Sequence, residues 1–219
     1  MHPEQKIPAK VKPRLRGHFH QGMFFIALGA LIPLALNCGT GPKLFAVLVY
    51  GVCALTMLGI STIYHRVTWN PEQRLLWKKL DHCGIYLMIA GTFTPVAVLG
   101  LNEESALKLL LTIWGVAFLG IVQSIFFVNV PKYISSMLYL IAGYLILPYI
   151  SELSQNIGMA NSVLIIVGGV VYSLGAISYA LKRPKFRPEI FGYHEFFHLL
   201  INAGAIIHFI VVQSLVNSK

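Results

Sequence analysis

Two histidines near the C-terminus stand four residues apart in the segment FGYHEFFHLL, residues 191–200. Positions four apart lie on the same face of a helix, so His194 and His198 can chelate one metal ion together. Glu195 completes the letter pattern HExxH, in which zinc proteases use the glutamate as general base. The pattern is short, and it leaves three interpretations open: a protease helix, a different zinc site, or two buried histidines that share a face.

Three further polar residues occur in other apolar stretches. Ser61 and His65 are also four apart, in the segment GISTIYHR, and share a helical face. Asp81 opens the segment LDHCGIYL. Ionisable side chains inside membrane spans cost about 2.5–3.5 kcal/mol each on insertion scales, so each of them requires a partner or a function.

Three imidazoles and a carboxylate are the ligand set of a catalytic zinc site. His65, His194 and His198 would supply three neutral nitrogen ligands and leave the fourth position to water. A carboxylate beside that water offsets the charge of the ion, and Asp81 can do this directly or through the water. Ser61 can hydrogen-bond the same water or an oxyanion. Such a site supplies a nucleophile near neutral pH.

The elements that must position these residues are membrane spans. Of 219 residues, 56% are hydrophobic and 11% are charged, a composition that excludes a soluble domain. Continuous apolar runs of about 20 residues favour helices over the alternating pattern of a barrel. We therefore predict an all-α fold, a seven-transmembrane helical bundle that forms a single domain over residues 1–219. The predicted spans are 21–40, 44–65, 83–101, 107–127, 133–151, 160–181 and 193–215.

The basic residues predict the orientation of the bundle. Fourteen of the 17 lysines and arginines fall in the N-terminal tail and in the second, fourth and sixth connections. By the positive-inside rule the tail, residues 1–20, is cytoplasmic and the C-terminus lies outside. The net charge of +9 follows from this asymmetry and from attraction to anionic lipids, so no nucleic-acid partner is expected.

This topology brings His65, Asp81, His194 and His198 to a similar depth, one or two turns below the cytoplasmic surface. A single intramembrane histidine is more often a packing residue than a ligand, but the coincidence on three helices favours zinc. The other polar residues are predicted to lie outside the ligand set. His82 faces elsewhere or the headgroups, His208 makes a structural polar contact, and Asn202 supports the site or hydrogen-bonds another helix. His18 and His20 are interfacial, and Glu195 pairs near the interface with a loop lysine or arginine.

Three segments of the chain resemble the signature blocks of the bacterial hemolysin III proteins, which belong to the progestin and adipoQ receptor superfamily. They are STIYH at 61–65, LDHCGIYLMIAGTFTP at 80–95 and HEFFH at 194–198. The resemblance covers essentially the whole chain and implies a cytoplasmic N-terminus and a zinc ion near the cytoplasmic leaflet. The residues at the superfamily's motif positions are Ser61, His65, Asp81, His194 and His198.

What the resemblance implies for activity is broader, because relatives are linked to lipid-amide hydrolysis, to ligand reception and to lysis of red cells. The leading hypothesis is a zinc-dependent hydrolase of lipid amide or ester bonds in the bacterial inner membrane, with Asp81 and Ser61 as catalytic residues and a membrane lipid as substrate. One alternative is a non-enzymatic, zinc-stabilised receptor or regulator of membrane properties that binds lipid as a ligand. Another is an HExxH intramembrane metalloprotease, which leaves Ser61 and Asp81 without a role. No oligomeric state is predicted.

Overall fold

Eight α-helices and one short 3-10 helix make up the chain in its computed structural model, which describes residues 12–187 and 189–218. Apart from one isolated bridge between Arg187 and Phe191, these residues form no β-structure. The helices are α1 (His18–Asn37), α2 (Pro42–Arg66), α3 (Pro71–Gly100), α4 (Glu103–Phe126), α5 (Lys132–Tyr144), the 3-10 helix (Leu147–Tyr149), α6 (Ile150–Asn156), α7 (Gly158–Leu181) and α8 (Tyr193–Asn217).

Seven helical segments within the described ranges are long and apolar enough to cross a membrane. Six are single helices, and the fifth, Lys132–Asn156, joins α5, the 3-10 helix and α6. The predicted all-α, seven-helix architecture is therefore confirmed. The orientation of the termini and the single-domain organisation stay predictions, and residues 1–11 of the predicted tail lie outside the described residues.

The third helix begins well before the apolar stretch that predicted it. It starts at Pro71, whereas the predicted span starts at residue 83. The side chain of Asn70 caps this start by accepting the backbone N–H of Gln73 at 2.9 Å, and Pro71 and Glu72 suit the first turn of a helix. Hydropathy locates the segment that meets lipid, but capping residues decide where the helix begins.

Helix α3 lies at the centre of the bundle, where it packs against α2, α4, α5 and α8. Small residues permit this close packing, because helices in a membrane associate through van der Waals contact. At Gly91 of α3 the backbone approaches Cys53 of α2 so closely that a Cβ atom would lie 2.4 Å from the Cβ of Cys53. The central position of α3 brings Asp81 next to the ends of α2 and α8.

The contact at Gly91 yields a first test of the packing. We expect Gly91→Ala to destabilise the protein by about 1–3 kcal/mol, because the new methyl group overlaps a side chain that cannot move without its helix. The control is Gly115→Ala in α4, where nothing lies within 4 Å of the new atom. The midpoint of thermal unfolding in detergent measures both variants, and equal midpoints would contradict the packing.

The predicted orientation needs its own measurement. Alkaline phosphatase fused after the last residue should be active, because it folds only outside the cytoplasm, whereas a fluorescent protein at the same position should stay dark. The reversed pattern would place the C-terminus in the cytoplasm and overturn the positive-inside prediction.

Candidate metal centre

Three buried histidines from two helices meet at one end of the bundle. His65 lies in the last turn of α2, while His194 and His198 lie in the first two turns of α8. Their exposed fractions are only 7%, 8% and 3%. One ring nitrogen from each lies within 4.8 Å of the others, so the group could hold a metal ion.

The spacing of two of the ring nitrogens fits a tetrahedral metal. Nε2 of His65 and Nε2 of His194 are 3.2 Å apart. Two nitrogen ligands bound at about 2.0–2.1 Å in a tetrahedral site are separated by about 3.3 Å. A shared cation would also satisfy the nitrogens that burial has removed from water. The donor set and the spacing of this pair therefore fit a zinc-like ion, with His198 near enough to be the third ligand.

Asp81 and Ser61 lie beside these histidines. Oδ2 of Asp81 is 3.6 Å from Nε2 of His65, and the Asp81 side chain is 15% exposed. Ser61 lies one turn before His65 on α2, is buried, and its hydroxyl faces the carboxyl of Asp81. The carboxylate is therefore close to the ligand nitrogens without contacting them. This is the position from which it can act on a group bound between them.

A cavity of about 140 Å³ extends from the histidines into the bundle. Ser61, Asp81, His194 and His198 line it at one end, and His208, about 15 Å farther along α8, lines it too. Between them the wall is mainly apolar. It includes Met57, Ile85, Met88, Phe93, Phe197 and Ile201. A cavity of this shape suits an apolar chain that carries a polar group at the histidine end.

Comparison with known proteins assigns this arrangement to a family. Residues 9–209 match the family described as Haemolysin-III related. The chain belongs to the haemolysin-III-related family. Hemolysin-3 of Bacillus cereus is 34% identical over 190 residues, which cover 85% of this chain and 84% of that protein. A Hemolysin-3 homolog of Bacillus subtilis strain 168 is 32% identical over 186 residues, covering 85% and 84% of the two chains.

The similarity extends beyond bacteria. The Adiponectin receptor protein of Drosophila melanogaster is 28% identical over 179 residues, which cover 71% of this chain and 39% of that longer protein. The resemblance predicted from the three sequence segments is thus confirmed. Seven apolar helices and membership of the haemolysin-III-related family make the chain a multi-pass integral membrane protein, consistent with a bacterial inner membrane.

In this haemolysin-III-related protein, the glutamate of the HExxH pattern is engaged away from the histidines. Glu195 is only 1% exposed, so it is buried in the bundle, while its predicted depth near the membrane interface stays a prediction. Its Oε1 pairs with the guanidinium of Arg16, and its Oε2 accepts the backbone N–H of Gly192 at 2.8 Å. The predicted basic partner is present, but it comes from the N-terminal segment. Both carboxylate oxygens are occupied, which does not favour a general base for proteolysis.

Residues 12–20, which we call the N-terminal strap, cover the three histidines. The backbone N–H groups of Arg14 and Leu15 donate to the carbonyls of Glu189 and Ile190 at 2.9 and 3.2 Å. Gly17, at φ 81°, lies so close to α2 that a Cβ atom there would be 2.9 Å from the Cβ of His65. Glycine is therefore required both by the backbone conformation and by the contact.

A fourth buried imidazole belongs to the same region. His20 is 3% exposed and lies within α1, so it is buried in the bundle, while its predicted depth at the membrane interface stays a prediction. Its ring stacks on His198 with centroids 3.8 Å apart, and both of its nitrogens lack a hydrogen-bond partner among the described residues. The predicted first span began at residue 21 and so left His20 outside, whereas α1 begins at His18. A first span predicted to start one turn earlier would have placed His20 inside the helix.

The remaining polar residues have mixed outcomes. His82 lines the same cavity as Asp81, although the two are about 100° apart around α3, so the prediction that it faces elsewhere or the headgroups is wrong. Nε2 of His208 donates to the carbonyl of Ile165 at 3.1 Å, a structural polar contact as predicted. The Asn202 amide donates to the carbonyl of Phe19 at 2.9 Å and so takes the helix-bonding role of its two predicted roles.

The strap yields a test of the role of Glu195. We expect Glu195→Gln to lower the free energy of unfolding by about 1–3 kcal/mol, because Arg16 loses its carboxylate partner in a partly buried position. Denaturation of the full chain in detergent measures this, with the exposed Glu189→Gln as matched control.

The double variant Arg16→Gln/Glu195→Gln should recover part of the lost stability, since it leaves no unpaired charge. If Glu195→Gln instead keeps wild-type stability but loses the ability to hydrolyse peptide bonds, Glu195 is the general base of a protease.

Proposed function

We propose that the protein is a zinc-dependent hydrolase of amide or ester bonds in membrane lipids. The observation that carries this proposal is the meeting of three buried imidazoles and a carboxylate at the polar end of an apolar cavity inside membrane helices. Proteins use three neutral nitrogen ligands with an open fourth position for catalytic rather than structural zinc.

The metal ligands would be His65, His194 and His198. Bound there, zinc would polarise a carbonyl group and activate water near neutral pH. The carboxylate of Asp81 lies 3.6 Å from Nε2 of His65, close enough to interact with such a water. No other described carboxylate lines the cavity.

The protein's own side chains would divide the remaining work. Asp81 orients the attacking water by accepting its hydrogen bond and takes up its proton. Ser61 donates its hydroxyl to the oxyanion that develops on the substrate carbonyl. The apolar wall holds the acyl chain and excludes bulk water, which strengthens both electrostatic effects.

The depth of the site matches the chemistry of a lipid. The histidines lie in the last turn of one spanning helix and the first turns of another, so they are close to the membrane boundary. The amide or ester carbonyl of a lipid lies at this level, between its headgroup and its acyl chains. With the predicted orientation, the substrate would come from the cytoplasmic leaflet.

A second candidate function is a non-enzymatic receptor or regulator of membrane properties in which the ion only ties helices together. The observation in its favour is the strap, which covers the three histidines and stacks His20 on His198. The name Hemolysin-3 describes lysis of red cells by the Bacillus cereus relative, and such an effect is compatible with an altered membrane. The protease alternative is least supported, because both oxygens of Glu195 are occupied.

Metal analysis of the purified protein tests the ligand set. We expect about one zinc ion per chain, and we expect His198→Ala to lose most of it, because two imidazoles bind zinc far more weakly than three. The control is His18→Ala, which removes an exposed imidazole outside the group. A wild-type protein free of zinc and of other metals would overturn both candidate functions.

Product analysis then separates the two candidates. Asp81→Asn should keep its zinc but lose turnover by about 10²–10⁴-fold, because the variant cannot take up a proton. Mass spectrometry of fatty acids released from membrane lipid extracts measures turnover, with the exposed Glu103→Gln as control. Unchanged hydrolysis in Asp81→Asn would refute its role, while bound zinc without any released acid would support the receptor or regulator.

A further inference from the structure

Four basic side chains from three parts of the chain gather on the solvent side of the metal centre. Lys12 and Arg16 belong to the strap, Arg66 is the last residue of α2, and Arg74 lies in the first turns of α3. Nζ of Lys12 donates to the carbonyl of Arg66 at 3.1 Å. Lys12 is also close enough to the three arginines for electrostatic repulsion between them. We call these four residues the basic cluster.

The basic cluster is only partly neutralised by the described residues around it. Arg16 pairs with Glu195, but Lys12, Arg66 and Arg74 form no ion pair with any carboxylate in residues 12–187 and 189–218. The loss of water around Lys12 and then the positive charge of the arginines lower the pKa of its ammonium group. Like charges held this close repel one another unless an anion lies among them.

The basic cluster also has a fixed place relative to the metal centre. Arg66 follows His65 directly in the chain, and the ring of Tyr64, whose hydroxyl contacts Arg74, lies 4.5 Å from the ring of His65. A ligand held by the arginines would therefore sit just above the histidines. Arg66 and Arg74 are exposed and flank the connection between α2 and α3, on the side of the bundle that carries most of the basic residues.

Two tryptophans flank the basic cluster. Trp69 lies three residues after Arg66 and stacks on Trp77 of α3. Their ring centroids are 5.0 Å apart and their planes are 25° from parallel. Tryptophan side chains prefer the level of lipid headgroups, where one edge is wet and the other meets apolar chains. This position indicates that the basic cluster lies at headgroup depth.

We propose that the basic cluster is a binding site for a phosphate group, supplied either by a phospholipid headgroup or by a free phosphate ester. Guanidinium groups bind phosphate oxygens through paired hydrogen bonds, and a lysine adds a point charge. The flanking tryptophans favour the lipid source. The inference goes beyond the hydrolysis proposed above and does not depend on it, since binding is measured without turnover.

The test uses the full chain in detergent and measures dissociation constants by native mass spectrometry. The probes are phosphatidylglycerol, phosphatidylcholine with the same acyl chains, and inorganic phosphate. We expect phosphatidylglycerol to bind the wild type more tightly than phosphatidylcholine, and Arg66→Gln/Arg74→Gln to weaken it by about five-fold for each charge removed. The matched control is Arg183→Gln/Lys185→Gln, which removes two exposed charges from a loop on the same side of the bundle.

The outcomes separate a defined site from general attraction. A loss of affinity for phosphatidylglycerol that is confined to Arg66→Gln/Arg74→Gln supports the site. Competition between inorganic phosphate and the lipid would show that the phosphate group alone is recognised. Equal weakening in both double variants, or none in either, would overturn the proposal. Circular dichroism and zinc content check that each variant is folded. If the double variant does not fold, the single variant Arg74→Gln replaces it in the binding measurement.

Discussion

The close approach of buried imidazole nitrogens is the constraint on which the rest of this structure depends. Two neutral imidazoles can share one hydrogen bond, and a third ring nitrogen within 4.8 Å adds a further polar atom to the same buried space. A cation bound there would satisfy all three nitrogens, and the nearby carboxylate of Asp81 would offset its charge. The packing of α2, α3 and α8 and the covering strap hold these groups together at one end of the apolar cavity.

The HExxH letters illustrate how one pattern serves two purposes. The two histidines face the candidate metal centre because they are four residues apart on one helix. Glu195, one residue later than His194, faces another direction and anchors Arg16 while it caps the first turn of α8. The glutamate thus stabilises the layer above the metal centre. A motif gains its meaning from where each side chain points.

Much of this architecture could be predicted from the sequence, and the exceptions have physical reasons. Hydropathy predicted seven spans, because lipid demands continuous apolar helices, and the four-residue spacing predicted which histidines share a face. The early start of α3 was signalled by Asn70 and Pro71 but is invisible to hydropathy. The pair Arg16 and Glu195 joins residues 179 positions apart, and no local pattern encodes such a contact.

The strap has a consequence for biogenesis. Its contacts join the first described residues of the chain to the loop before α8, and two of the three histidines of the candidate metal centre lie on α8 itself. Synthesis proceeds from the N-terminus, so the early helices enter the membrane while these partners are still unmade. A nascent chain therefore carries His65 before the other two histidines of the candidate metal centre are made, so an ion held by all three could be captured only after the last helix has been inserted.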